Sequence, residues 1–585
     1  MKKAIIGTLA LTLALASAAL AQAFTWPASW TTAKPGEAKR GGTFVEATIS
    51  DFRTMNPFLS AEADSIPDRM TLNGIGLVTR DPTTGKWIPY MATSWKVSKD
   101  QTEITFKIRR GMKWSDGKPI TADDWIMTYR IHMDPKVGSN LRDSFFIGDK
   151  VVKVEKIDDY TLRFVYPKPD AEAFAIASYS PWPAHVFGPV YEKQGADGIK
   201  KMWGLNEDPG KIVTWGPFVV ASYRPGERVV FKRNPYFGEW NKDAAGNPLP
   251  YLDAYQVNIV KDTNAELAAF LTGEIDQMNP TTVEQIAQIK KAINAGKLDA
   301  TLKVNASPIA SSQFVVFNWN KKSDPFKERL FRSAKFRKAM SHLINRKAVV
   351  EVVYGGLGTP MYGSVYPVLT QWINKDAPKY PYDPEAAKKL LAELGFTKKD
   401  AEGYLVDEQG RRLEFNLATN AGNKQREEIA KLFVDEAKKV GVKINFRPID
   451  FNTLVGQLLS KGPDRPFDAI IIGLRGGGLD WPFGSNVVPC RGNLHMWNRS
   501  GTCLDPRETL MQYYYYKGRT TLDFDQRVKI GYKLQEVEGE LLPIVYIAGP
   551  NYHTAWNNRI GGWHPDKIIS SIWGSGELPL LYRAK

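Results

Sequence analysis

Apolar and polar residues alternate with a period of two through much of the first half of the chain. GGTFVEATI (41–49), TEITFKI (102–108), VVKVEKIDDYTLRFVY (151–166) and GPFVVASYRPGERVVFKR (216–233) each gather their apolar side chains on one face, as half-buried strands do. Pro225-Gly226, in the middle of the last segment, marks a hairpin turn. The period then lengthens. Asp383 caps a helix with Pro384 at its first position, and that pattern stops at Gly395. Residues 423–439 read as a second amphipathic helix stopped by Gly441, 442–449 as a strand and 451–459 as a further helix. FDAIIIGL (467–474) is a continuous apolar run, which fits a buried parallel strand. Strands and helices alternate without any 20–50-residue repeat, so the class is α/β and solenoids are excluded.

Composition makes this a globular chain of 585 residues, 43% hydrophobic and 24% charged, long enough for two or more domains. Its first residues differ from the rest. Lys2 and Lys3 precede an apolar run from Ala4 to Leu20, too short to span a bilayer securely, and Ala19-Leu20-Ala21 has the small-x-small form of a cleavage site. We read residues 1–21 as a secretory signal peptide with Gln22 opening the mature chain; Ala21-Gln22-Ala23 is the alternative cleavage site. No Cys follows it, so the usual lipid anchor is not expected. The mature protein should work outside the cytoplasm, in a periplasm or at the outer face of the cell membrane. The formal charge of +15 loses two with Lys2 and Lys3. Basic and acidic residues are interleaved, as in KQREEIAKLFVDEAKK (424–439), which reads as a solvated helix face and not as the clustered footprint of a nucleic-acid binder. Cys490 and Cys503 are read as a disulfide, permissible after export; their spacing is not that of a metal or redox pair.

The most specific wording is FKIRRGMKWSDGKPITADDW (106–125). A strand ends at Gly111, Trp114-Ser115-Asp116-Gly117 turns, and Thr121 with Asp124 forms an N-cap box before Trp125, Ile126 and Met127. MNPFLS (55–60) precedes it. IDDYTLRFVYPKP (157–169), SPWPAHVF (180–187), LPYLDAYQVNIVKDTNAELAAFLTGEIDQM (249–278), FVVFNWN (314–320), FRKAMSHLINRKAVVEVVYGGLGTP (336–360) and YDPEAAKKLLAELGF (382–396) follow. In this order the series closely resembles the family 5 extracellular solute-binding proteins, the receptors of peptide-type ABC importers. The resemblance covers nearly the whole mature chain. It implies an α/β (α+β), two-lobed fold of the periplasmic-binding-protein type II kind with an extra, mostly-β subdomain. On that pattern lobe one takes 24–60, 201–315 and 546–585, the subdomain 61–200 and lobe two 316–545, with hinge crossings near 315 and 545. It implies a monomer that captures an extended solute, a peptide or an oligosaccharide, and presents it to a permease and ATPase complex. No cofactor and no nucleic acid enter this reading. A cleft between two lobes is also where ligands bind on physical grounds alone.

Catalytic wording is missing. None of the six His sits in HExxH, there is no GxSxG, and the Gly-Lys pairs at 85–86, 117–118, 210–211 and 296–297 lack the Ser or Thr of a P-loop. No His cluster suggests a metal. The catalytic and metal sets are therefore read as none. A secreted carbohydrate-active enzyme is the rival from another class, because the spatial pairing of two carboxylates is not written in a sequence.

The leading cleft candidate is RGGGLDWPFGSN (475–486), which follows the strand 467–474; ligands of α/β sheets gather at the C-terminal ends of strands. Gly476, Gly477 and Gly478 would let a ligand approach the backbone. Asp480 would accept from an amine or from sugar hydroxyls, and Trp481 would stack. The same residues fit a tight turn followed by a helix cap. Arg475 fits a ligand carboxylate or Asp480 equally. In peptide-binding relatives, the resemblance implies, an Asp four residues before the Pro grips the peptide amine; counted back from Pro482, that position is Gly478. Asn318, Trp319, Trp497 and Trp556 join the candidate set, because Trp beside Asn at loop-like positions suits sugar rings, although most Trp residues are core filler. Glu46, on the opening strand, is where similar proteins line the cleft; facing solvent is its alternative.

Overall fold

The computed structural model describes residues 22–33, 37–60, 62, 65–72, 75–307, 311–475, 478–563 and 578–584. The expected signal peptide, Gly476 and Gly477 lie outside them. Among the described residues no helix is long and apolar enough to cross a membrane.

The predicted hairpin forms as Phe218–Arg224 against Arg228–Arg233, with Gly226 at φ 69°, a left-handed conformation that favours glycine. Ala254–Ile259 extends it antiparallel, and the opening strand Thr43–Thr48 closes the sheet in parallel. A second sheet places Tyr552–Asn557 between Gln277–Met278 and Ala300–Ser307. The region 61–200 carries an antiparallel sheet ordered Ala92–Val97, Glu103–Ile108, Thr161–Val165, Lys153–Asp158. The expected mostly-β subdomain also carries the helix Ala122–Met133 and a helical stretch, Ala184–Lys201, broken by a kink at Gly195 (φ 59°). The first opens at the predicted box, where Thr121 N–H donates to Asp124 Oδ2 at 2.8 Å.

The second half folds on a mixed six-stranded sheet ordered Gly358–Pro360, Ile544–Pro550, Ser311–Phe317, Ala469–Arg475, Glu414–Asn420, Lys443–Ile449. The apolar run becomes Ala469–Arg475 at its centre, parallel to Glu414–Asn420 but antiparallel to Ser311–Phe317. Helix Lys424–Val440 ends where predicted, on Gly441 at φ 95°.

The apolar clusters divide the chain physically. One joins the subdomain to part of lobe one, from Phe24 to Val257 and again from Ile560 to Tyr582; a second runs from Phe314 to Ala548; a third, smaller one, from Leu267 to Ala300 with Ala555, packs on Val45 and Ala47 of the opening strand. Ser311–Phe317 and Ile544–Pro550 both belong wholly to the six-stranded sheet, so the chain leaves it before Ser311 and at Asn551. Ladder hydrogen bonding, not apolar pattern, sets those ends.

Cys490 and Cys503 are disulfide-bonded, with Cα atoms 5.2 Å apart. The loop they close is pinned to helix Pro506–Arg519 through Glu508, whose carboxylate accepts from Trp497 Nε1 at 2.7 Å and Asp505 N at 3.0 Å and meets His495 Nε2 at 2.8 Å. Burial alone would raise that carboxyl, but His495 and Trp497 hold it below the usual range. Replacing both cysteines by Ser is expected to lower stability by about 3 kcal/mol, the loop-closure value for so short a loop, measured by urea denaturation.

Candidate functional site

Two adjoining cavities, of about 430 and 360 Å³, lie along the boundary between the two bodies, and both touch Glu62 and Leu494. Their size suits a small-ligand site. The larger is walled mainly by the first body and is rich in hydroxyls: Ser60, Thr71, Ser139, Ser144, Ser178 and Ser180, with Asp68, Tyr179 and Trp182. His132 also faces it. Burial lowers this imidazole to about 3, so it is neutral, and its Nδ1 lies 2.6 Å from Ser139 Oγ. The smaller cavity belongs mostly to the second body. Phe451, Val455, Leu458 and Leu459 of helix Phe451–Leu459 and its end make an apolar shelf, with Met496 beside it.

Above that shelf sits Arg426. It occupies the first turn of helix Lys424–Val440, where the helix dipole disfavours a cation. Its Nε donates to Gln313 Oε1 and its Nη1 to Asn420 Oδ1, each at 2.8 Å. Both partners are neutral amides, and among the described residues no carboxylate pairs with it. Burial pushes the guanidinium down to about 10, opposed by the nearby Tyr354. The strands make room for this arrangement. Gln313 and Gly473 are register partners, and a Cβ on Gly473 would lie 3.0 Å from Arg426 Nη2 and from Gln313 Nε2, and 2.5 Å from the Ser312 carbonyl. A cationic group thus lines one side of the cavity, while Glu62, ion-paired with Arg53, lines another.

The structure sorts the predicted residues. Arg475 lines the smaller cavity at the end of its strand. Asp480 does not line either cavity; it crosses the boundary to ion-pair with Arg80 and to accept from Trp87 Nε1 at 3.2 Å. Gly478 lies close to the Trp481 backbone, where a Cβ would meet the Trp481 carbonyl at 2.6 Å. Trp481 is a correction: it is fully buried against Trp372, Phe483 and Tyr515. Trp319 and Trp497 are likewise core, packed on each other at 6.3 Å, with Arg337 over Trp319. Asn318 is buried and satisfied by the Arg465 and Phe467 carbonyls at 3.1 and 2.8 Å. Trp556 is half-buried, stacked on Trp563 in lobe one and away from both cavities. Glu46 is engaged by Arg69 and Tyr255 and also lines neither. Packing demand explains the tryptophans: the largest side chains fill the core first. Arg426, Gln313, Gly473 and Glu62 were not anticipated. The available signal was an arginine at the wrong end of a helix dipole, within a segment whose charges otherwise read as solvated.

Cys490, His495 and Glu508 also approach one another within 4.8 Å. The sulfur is committed to the disulfide and the carboxylate to its donors, so this trio is a structural knot and not a metal centre.

Two separately cored lobes facing a ligand-sized cleft define a bilobed solute-binding protein. The sequence pattern of the Bacterial extracellular solute-binding proteins, family 5 Middle, matches residues 86–488, and the chain belongs to that family. It is 48% identical over 582 residues to a "Probable ABC transporter-binding protein" of Deinococcus radiodurans, covering 98% of this chain and 97% of that one. Its fold is similar to the oligopeptide-binding protein AppA of Bacillus subtilis, solved with a nonapeptide (TM-score 0.77, 23% identity, 94% of this chain and 100% of that one). It is equally similar to the periplasmic binding protein MelB of Agrobacterium fabrum, solved with stachyose (TM-score 0.77, 22% identity, 93% and 86%).

Trp481→Ala is expected to cost about 3–5 kcal/mol of stability, as for other buried aromatics, measured by chemical denaturation. A loss of solute affinity at unchanged stability would return Trp481 to the cleft.

Proposed function

We propose that this protein is the extracytoplasmic receptor of an ABC importer, which captures an oligopeptide-type solute in the interlobe cleft and hands it to a permease without making or breaking a bond. Family membership and the Deinococcus relative support the receptor role. The expected signal peptide supports a place outside the cytoplasm. The observation that carries the ligand class is Arg426: a half-buried guanidinium bordering a cavity and, among the described residues, hydrogen-bonded only to neutral amides. Leaving a buried charge uncompensated is costly, and a ligand carboxylate would relieve that cost with a charge-assisted, bidentate pair. An oligosaccharide is the second reading, favoured by the serine-rich wall of the larger cavity. It is weakened because Trp182 is the one tryptophan lining either cavity, whereas sugar rings call for exposed aromatic faces. A carbohydrate-active enzyme is weaker still: Glu62 is held by Arg53, and Asp68 accepts from the Ser65 hydroxyl at 2.9 Å.

Native mass spectrometry of protein purified from its own cells tests the ligand class, a peptide mass being expected and a sugar mass overturning it. The contact itself is tested with the nonapeptide RPPGFSPFR and its C-terminally amidated form. Arg426→Gln is expected to weaken binding of the free acid at least tenfold, about 1.4 kcal/mol, and to make the two forms equal in calorimetry. If the wild type binds both forms alike, Arg426 is not the carboxylate's partner.

A further inference from the structure

Beyond the cleft, the boundary between the two bodies contains a second, buried charge cluster. Arg519, at the end of helix Pro506–Arg519 in the second body, is completely buried. Its guanidinium meets Asp170 of the first body with Nη2 at 2.8 Å and Nε at 3.1 Å. It also donates to the Ser144 carbonyl at 2.7 Å and the Phe146 carbonyl at 3.0 Å, and lies 3.5 Å from Glu172. The backbone repeats the link, since the Ala171 amide donates to the Arg519 carbonyl at 2.8 Å. Every one of these partners belongs to the first body. Arg519 is therefore fully satisfied only while the two bodies are together.

We propose that Arg519 is a positioning residue for solute capture: by locking onto Asp170 and the Ser144 and Phe146 carbonyls, it latches the two lobes in the closed form. It touches neither cavity, so it acts on the solute only by setting the open–closed balance. The contacts around it are of the same polar kind. Asp480 reaches Arg80, the Asn493 amide donates to Asp143 at 2.7 Å, and Ser144 meets Ser485 at 3.1 Å. Contacts of this type can be exchanged for water when the lobes part, unlike a shared apolar core.

Glu172 gives the latch a pH response. Burial pushes its carboxyl up to about 7 from an ordinary 4.5, with Asp170 and Asp480 adding to the rise and Arg519 and Tyr515 opposing it. Arg527, which feels both Asp480 and Glu172, and Arg80, ion-paired with Asp480, also face the cluster. Opening returns Glu172 to water and to its ordinary value. The closed form therefore binds the extra proton between about 4.5 and 7, and closure weakens as pH rises through about 7.

The test uses the ligand-stripped full chain and hydrogen exchange of the segment carrying the Ala171 amide, corrected for intrinsic exchange. Asp170→Asn is expected to speed that exchange at least tenfold while the strand Ser311–Phe317 stays unchanged. In the wild type the same exchange should quicken as pH rises from about 4.5 to about 7 and level off above it, and in Glu172→Gln it should be flat over that range. Unchanged exchange at Ala171 in a folded Asp170→Asn overturns the latch. If that variant does not fold, Arg519→Lys decides: unchanged exchange at Ala171 in that variant overturns the latch, and exchange faster by at least threefold supports it.

Discussion

The working part of this molecule depends on a boundary that no apolar cluster crosses. Among the described residues the hydrophobic clusters fall on one side of it or the other, and most of the contacts that span it are polar: ion pairs, hydroxyl contacts, backbone amides. Apolar packing would weld the lobes, since breaking a shared core means exposing it to water. Polar contacts have water as a ready substitute, so their net contribution per bond is small. A polar seam is thus the physical condition for a protein that must grip and release. Phe146 shows how the seam accommodates a ring without welding: its faces meet Arg142 and Arg491, one from each body, at 4.7 and 4.3 Å.

The cleft follows from the same division. Ser311–Phe317 and Ala469–Arg475 run out of the sheet at the boundary, and their ends bring Gln313 and Gly473 beneath Arg426. Glycine at 473 leaves the space that Arg426 and Gln313 occupy. The helix start at Asn423 then fixes the backbone of Arg426, whose N–H donates to Asn423 Oδ1 at 3.0 Å. Position, space and charge are supplied by three separate elements, which is why the arrangement is rigid enough to present one guanidinium to a solute.

Much of the fold was legible in the sequence because its elements carry local signatures. The hairpin at Pro225-Gly226, the cap box at Thr121 and Asp124, and the stop at Gly441 are chemistry of a few adjacent residues. The motif order gave the family, which the sequence comparison with known proteins supports. The cleft was less legible. Trp319, Trp481 and Trp497 look alike in sequence whether they stack on a solute or fill a core, and burial decided for the core. Asp480 was singled out by its loop, yet its partner Arg80 lies 400 residues away. Arg426 was hidden in a run of alternating charges, and what sets it apart is that its hydrogen-bond partners among the described residues are the amides of Gln313 and Asn420.

The central claim is that a solute is caught between two separately cored bodies, with its anionic group on Arg426. The most direct measurement is a crystal structure of the protein carrying the solute with which it leaves its own cells. The account predicts continuous density through both cavities, with a carboxylate paired to the Arg426 guanidinium and the Arg519–Asp170 contact intact. A neutral solute stacked on aromatic rings, or one bound away from the boundary with Arg426 untouched, would contradict it.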